Sequence, residues 1–284
     1  MPEVRLRGGE SDGLTLHYLK EGRGPAVVLL HGLGGFAASW RWNMGALAAG
    51  ATVYALDLPG FGLSAKPARA PYDLTYFARA VHGFLTTLGI ARASLVGHSL
   101  GGTIAMTYAL TYPARVDRLA LIGAIVPGFT YRLSWAYKLA ALRGVGEIFA
   151  MLRCSPLYKV ALARCFHAPT ADEIDFLVES SYRERTGWDA RLAYLGTLRG
   201  VRPDFEARAA DYRRALGTLD APLLLIHGRR DPVVAAAHCR DVAAALPRVT
   251  VRWIDACGHF PQIEHAAAVN DWLAGFLAGR AVSR

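Results

Sequence analysis

Ser99 lies in the run LVGHSLGG, residues 95–102, with a glycine two positions to either side of it. A serine hydroxyl is a poor nucleophile at neutral pH unless a base takes its proton, and that base needs an acid to orient it. The chain supplies both further on, Asp231 in HGRRDPVV and His259 in IDACGHFPQIEH. A GxSxG match alone says little, because a chain of this composition contains roughly 0.1 such matches by chance. The combination says more: Ser99, Asp231 and His259 each follow an apolar, strand-like run, in the order nucleophile, acid, base. The chemistry they suit is acyl transfer through a covalent intermediate.

Rivals for these roles are weaker. Asp255 closes the segment that leads to His259, too near in sequence to brace its ring, and His98 should point away from the side chain of its neighbour Ser99. Asp231 precedes Pro232, which also suits a helix N-cap with proline at the first helical position; the two roles can coexist. Acyl transfer needs N–H donors for the developing oxyanion. The glycine-rich run HGLGG, residues 31–35, can turn over Ser99, so the backbone N–H groups of Leu33 and Leu100 are assigned as donors, with Gly34 as the alternative to Leu33.

The elements that must position these groups are legible as apolar runs. AVVLLHG (26–32), TVYALD (52–57), SLVGH (94–98) and VDRLALIGA (116–124) alternate with helical spacing over 74–88 and 100–112. Continuous apolar strands alternating with helices predict a mostly parallel sheet covered on both faces. Before them, LTLHYLKEG alternates with period two, as half of a hairpin-like pair within residues 1–24. The rhythm stops from 127 to 216, where helical patterns rich in Trp, Tyr, Leu and Arg are broken at Pro156, Pro169 and Pro203. It resumes with PLLLIHG (222–228), VTVRWID (249–255) and a last helix over about 264–277. The expected organisation is an α/β core over 1–126 and 217–284, interrupted by a helical insertion over 127–216. If Ser99 sits between a strand and a helix, its backbone must turn sharply there, and Gly97 and Gly101 relieve the crowding.

Composition narrows the function classes. The 284 residues are 53% hydrophobic and 19% charged, as in a globular chain. The net charge of +9 is dispersed in short pairs such as Arg213-Arg214 and Arg229-Arg230, not gathered on one element as nucleic-acid binding requires. No apolar run reaches the roughly 18 residues of a membrane span; the densest, LALIGAIVPGF at 119–129, ends in Pro-Gly. The first residues, MPEVRLRGGESDG, lack an apolar signal core, so a cytoplasmic location is expected. Cys154, Cys165, Cys239 and Cys257 have neither metal-site nor disulfide-framework spacing. The expectation is a small-molecule substrate, with no nucleic acid, membrane or metal.

With HGLGG, DLPGFGLS (57–64), GHSLGG, GRRDP and GHFPQIEH together, the sequence resembles the cap-bearing branch of the α/β-hydrolase superfamily along essentially its whole length. The resemblance implies an eight-stranded, mostly parallel sheet with helices on both faces, a helical cap matching the insertion, and Ser-Asp-His hydrolysis without a cofactor. Haloalkane dehalogenases and epoxide hydrolases look similar but carry Asp where this chain has Ser99. Hydrolases of carbon–carbon bonds in ring-fission products also resemble it and typically carry Trp directly after the catalytic His, where this chain has Phe260. Cofactor-free perhydrolases share the triad, and receptors that keep it generally have smaller caps. The residues and the resemblance together give the expectation of a serine carboxylesterase for small, largely apolar esters, with a carbon–carbon bond hydrolase of ring-fission products as the alternative and a perhydrolase or a triad-retaining receptor behind it; Phe129, Tyr131, Trp135 and Phe260 are the candidate pocket residues.

Overall fold

The computed structural model describes residues 2–131, 135–151, 155–184, 187–246 and 248–280; for residues 10, 135–137, 149–150, 155 and 182–184 the backbone alone is described. The strands are β1 (Glu3–Arg5), β2 (Thr15–Glu21), β3 (Ala26–Leu30), β4 (Thr52–Leu56), β5 (Ala93–His98), β6 (Val116–Ile122), β7 (Leu223–Gly228) and β8 (Thr250–Ile254). They form one sheet in the order β1-β2-β4-β3-β5-β6-β7-β8. β1 and β2 run antiparallel to their neighbours and the remaining pairs are parallel. The α/β-hydrolase architecture expected from the motifs is the one the chain adopts.

Because successive strand residues face opposite sides, each strand supplies two cores. Val28, Leu30, Leu95, Leu119 and Leu121 face one side with Phe77, Phe84, Ile104 and Tyr108, from α2 (Leu74–Thr87) and α3 (Leu100–Thr111). Val27, Leu29, Val96, Ala120 and Ile226 face the other with Trp40, Met44, Leu47, Leu273 and Phe276. The last four come from α1 (Met44–Ala48) and α12 (Ala266–Leu277). Both faces are covered, which is why these strands read as unbroken apolar runs.

Between β6 and β7 the described chain is helical: α4 (Trp135–Ala141), α5 (Val145–Met151), α6 (Ser155–Ala163), α7 (Ala171–Glu184), α8 (Trp188–Ala207) and α9 (Ala209–Leu216). α4 and α5 pack on α8, α8 on α2 and α9 on α3, while α6 and α7 pair with each other. Pro203, expected to break a helix, lies inside α8. The C-terminal part of α8 is held by tertiary ties that outweigh the lost backbone bond: Phe205 is buried and Asp204 accepts the Leu74 N–H at 3.1 Å. After β7 come α10 (Ala236–Ala245) and the short α11 (Pro261–Glu264) ahead of α12, so the last long helix starts two residues later than its sequence pattern indicates.

β3 lies between β4 and β5, with Leu30 beside Gly97 in register. The chain therefore leaves β3 toward one side and returns as β5 on the other. The loops after β3 and β5 open side by side at the carboxyl ends of the strands, where open α/β sheets form their crevice. No described helix is long and apolar enough to cross a membrane.

Candidate active site

Ser99 is the single residue between β5 and α3, at φ 51° and ψ −120°. This is strained for a side chain with a Cβ, of order 1–3 kcal/mol, and the surroundings hold it. Its N–H donates to the Ile122 carbonyl at 2.9 Å, and its carbonyl accepts the N–H groups of Gly102 and Thr103 at 3.0 and 3.1 Å. The glycines are required by close approach: a Cβ on Gly97 would collide with the Gly101 carbonyl, one on Gly101 with the Leu30 carbonyl, and one on Gly102 with the Ala124 methyl.

The three residues separated by up to 160 positions meet here. Ser99 Oγ lies 3.0 Å from His259 Nε2, and His259 Nδ1 donates to Asp231 Oδ2 at 2.8 Å. His259 and Asp231 are buried while Ser99 is half-buried. Burial pushes the Asp231 carboxyl up, but His259, His227 and the Val234 N–H outweigh it and hold the group below the usual carboxylate range. Asp231 Oδ1 accepts the N–H groups of Val233 and Val234 at 2.7 and 2.9 Å. The expected helix cap is replaced by this local turn, because α10 starts only at Ala236. Each carboxylate oxygen thus has its own task. Asp255, the rival acid, has an 89% exposed side chain paired with Arg229.

His98 forms no hydrogen bond to Ser99 Oγ among the described residues and donates from Nε2 to the His259 carbonyl at 2.8 Å. Burial, reinforced by the nearby His259, pushes it down to about 3, so it stays neutral. The loop after β3 passes directly over the serine: a Cβ on Gly32 would sit 3.1 Å from Ser99 Cβ. Gly35 N–H closes a turn onto the Gly32 carbonyl at 3.0 Å, with Gly34 at φ 71°, the left-handed position that a type II turn reserves for glycine. The N–H groups of Leu33 and Leu100 hydrogen-bond to no other group of the described chain. Leu100 is the first residue of α3, whose N-terminal dipole favours negative charge at the same point.

The helical insertion reaches both loops. Ser181 of α7 donates to the Gly34 carbonyl at 3.2 Å, and the His259 N–H donates to the Cys165 carbonyl at 2.7 Å. Phe260 stacks on Phe166, centroids 4.4 Å apart and planes 11° apart, and lies 4.8 Å from the His98 ring. Phe36, Phe166, Ile174, Leu177, Val178 and Ile263 form a separate apolar cluster beside Phe260. Of the other candidate pocket residues, Phe129 packs edge-on to His238 and Tyr131 edge-on to Phe205 at 4.6 Å. Both lean on the main core, and none of these ring partners belongs to the triad. Trp135 opens α4, and its side chain falls outside the described residues, as does Cys154. The other three cysteines are free thiols, and no cluster of potential metal ligands occurs among the described residues. Sequence reasoning missed Phe166, Ser181 and the Cys165 carbonyl. Ser181 lies on α7 and residues 165 and 166 on the link between α6 and α7, segments whose sequence carries no chemical signature and which meet the site only through tertiary packing.

Known proteins share this architecture. Residues 25–266 match the family described as alpha/beta hydrolase fold. The chain is 30% identical over 269 residues to 2-hydroxymuconate semialdehyde hydrolase of Pseudomonas sp. (strain CF600), covering 94% of this chain and 91% of that one. It is 33% identical over 280 residues to the 2-hydroxy-6-oxononadienedioate/2-hydroxy-6-oxononatrienedioate hydrolase of Paraburkholderia phymatum, covering 96% and 93%. Among solved structures, the enol-lactonase from Burkholderia xenovorans LB400 superposes with a TM-score of 0.78 at 25% identity, over 98% of this chain and 100% of that one. With a family match spanning most of its length and a serine, a histidine and an aspartate joined in one hydrogen-bonded line, the chain belongs to the alpha/beta hydrolase family.

Proposed function

We propose that the protein is a serine hydrolase of carboxylic esters with small, largely apolar groups, working through an acyl-enzyme. The carrying observation is the continuous line Ser99 Oγ, His259 Nε2, His259 Nδ1, Asp231 Oδ2, with spacings of 3.0 and 2.8 Å, beneath two uncommitted backbone N–H groups. Ser99 Oγ attacks the ester carbonyl carbon as its proton passes to His259 Nε2. Asp231 stabilises the imidazolium and fixes the tautomer that leaves Nε2 as acceptor. The N–H groups of Leu33 and Leu100 receive the oxyanion, and each such donor is worth about 3–4 kcal/mol in the transition state. His259 then protonates the departing alcohol. Water, deprotonated by the same nitrogen, attacks the acyl carbon and regenerates Ser99. No cofactor enters any step.

The insertion acts as a cap in this reading. Its apolar cluster around Phe166 and Phe260 supports an apolar acyl or alcohol group near Ser99, whereas Phe129 and Tyr131 contribute through the core. A second reading, hydrolysis of ring-fission dienoates, is favoured by the names of the two relatives with 30% and 33% identity. Against it stands Phe260, stacked flat on Phe166, at the position where the ring-fission hydrolases that this sequence resembles typically carry Trp. A panel of p-nitrophenyl esters run beside a ring-fission dienoate decides between the two. The expected result is higher kcat/KM on a short ester. A dienoate value above that of every ester would replace the first reading with the second.

A further inference from the structure

The loop that carries His259 is held from outside the triad by one carboxylate. Glu264, the last residue of α11, accepts the Gly258 N–H on Oε1 at 2.9 Å and the Phe260 N–H on the same oxygen at 3.4 Å. The peptides on both sides of His259 are therefore tied to it. Its other oxygen, Oε2, accepts the His167 N–H at 2.7 Å and the Ala168 N–H at 3.4 Å. Residues 167 and 168 belong to the link between α6 and α7, in the helical insertion. Between these two attachments, the His259 N–H donates to the Cys165 carbonyl at 2.7 Å. The fit leaves no slack, since a Cβ on Gly258 would sit 2.8 Å from both the His167 nitrogen and the Phe166 carbonyl carbon.

We propose that Glu264 is a positioning residue for His259, which clamps the histidine loop to the insertion and so makes docking of the insertion part of aligning the base. The proposal rests on the Ser99–His259–Asp231 reading above. Its chemistry requires a carboxylate: two acceptor oxygens facing opposite ways can serve N–H donors on both sides, whereas an amide offers one acceptor and turns an NH2 toward the other pair. Alignment matters because His259 must hold 2.8 Å to Asp231 and 3.0 Å to Ser99 together, and a shift of about 1 Å in such a line can cost roughly 100-fold in rate.

The test compares the full-length wild type, Ser99→Ala, Glu264→Gln and Glu264→Asp by covalent labelling with a fluorophosphonate. Serine oxygen bonds to phosphorus, fluoride leaves, and the serine proton passes to the base, so the rate reports base alignment whatever the natural substrate is. Glu264→Gln should label ~10- to 100-fold more slowly, across the whole pH profile, yet to the wild-type end point. Glu264→Asp keeps the charge but is one methylene short of spanning both loops, so it should slow likewise; it carries the test if the Gln variant does not fold. In the wild type, hydrogen exchange should show the amides of residues 167 and 258 protected to the same degree, because one group holds both. A wild-type labelling rate in either variant, a loss of end point with an unchanged rate constant, or unrelated protection of the two amides overturns the proposal. Failure of the wild type to label, or undiminished labelling of Ser99→Ala, is a different signature: it overturns the triad reading itself, and the clamp with it.

Discussion

At the scale of single residues, Asp231 divides its two oxygens between a local turn and His259, and the proposed mechanism gives the second oxygen a part in the chemistry. Oδ1 holds the turn at Val233 and Val234, and Oδ2 holds His259. Asp231→Asn preserves an acceptor for the turn but faces the His259 Nδ1–H with an amide or forces the other tautomer. We expect kcat to fall by about 10⁴, while stability falls by no more than about 1–3 kcal/mol, the cost of one broken buried hydrogen bond. Kinetics set beside urea unfolding check this, and a large loss of stability with nearly normal kcat would return Asp231 to a local structural role. Ser99→Ala keeps the strained backbone and removes only the oxygen. Ester turnover should drop by about 10⁴ or more with the circular dichroism spectrum unchanged. A variant retaining a tenth of the wild-type rate would mean that Ser99 is not the nucleophile.

At the scale of elements, the sharp step from β5 to α3 depends on backbones packed too closely for any side chain. Gly101 lies against the Leu30 and His31 carbonyls, so Gly101→Ala must push α3 away from β3. Overpacking of this kind costs about 1–3 kcal/mol. The displacement also moves Leu100 N–H, so kcat should fall along with the urea midpoint. Unchanged values of both would contradict the packing described. The contact between Phe260 and Phe166 joins the histidine loop to the insertion in the same way. Phe260→Trp has to open that stack, and the expected effect is a change of substrate preference larger than any change in the reactivity of Ser99. A modest gain on a dienoate, far short of reversing the proposed preference for esters, checks this in the same assay panel.

At the scale of the whole molecule, six of the described histidines are buried, and at four of them, His31, His98, His227 and His238, burial pushes the ring below the ordinary imidazole value. Below pH about 6.5 the unfolded chain takes up protons at these rings while the folded chain does not. Stability therefore falls as the pH is lowered, by up to about 1.4 kcal/mol per pH unit for each ring, down to its folded value. Asp57 and Asp231 act in the same direction: burial pushes both up, but their hydrogen-bonded and charged neighbours hold them below the usual range. Their contribution is present above the ordinary carboxylate value and is lost as the pH falls through the folded one. The urea midpoint should rise continuously from pH 4 to pH 6.5; a flat profile would contradict this. The strands, the helices around them, the helical stretch between β6 and β7 and the grouping of Ser99, Asp231 and His259 were legible in the sequence because each has a local cause: apolar runs, helical spacing, and glycines that make a sharp turn affordable. Folding alone decided that Pro203 lies within a helix, that Asp231 caps a turn instead of α10, that Phe129 and Tyr131 lean on the core, and that Cys165, Ser181 and Glu264 bond to the loops that carry Gly34 and His259. Those contacts join backbone groups far apart in the chain, and a backbone N–H or carbonyl is the same at every residue that bears one, so only the packing of the insertion against the sheet selects which of them meet.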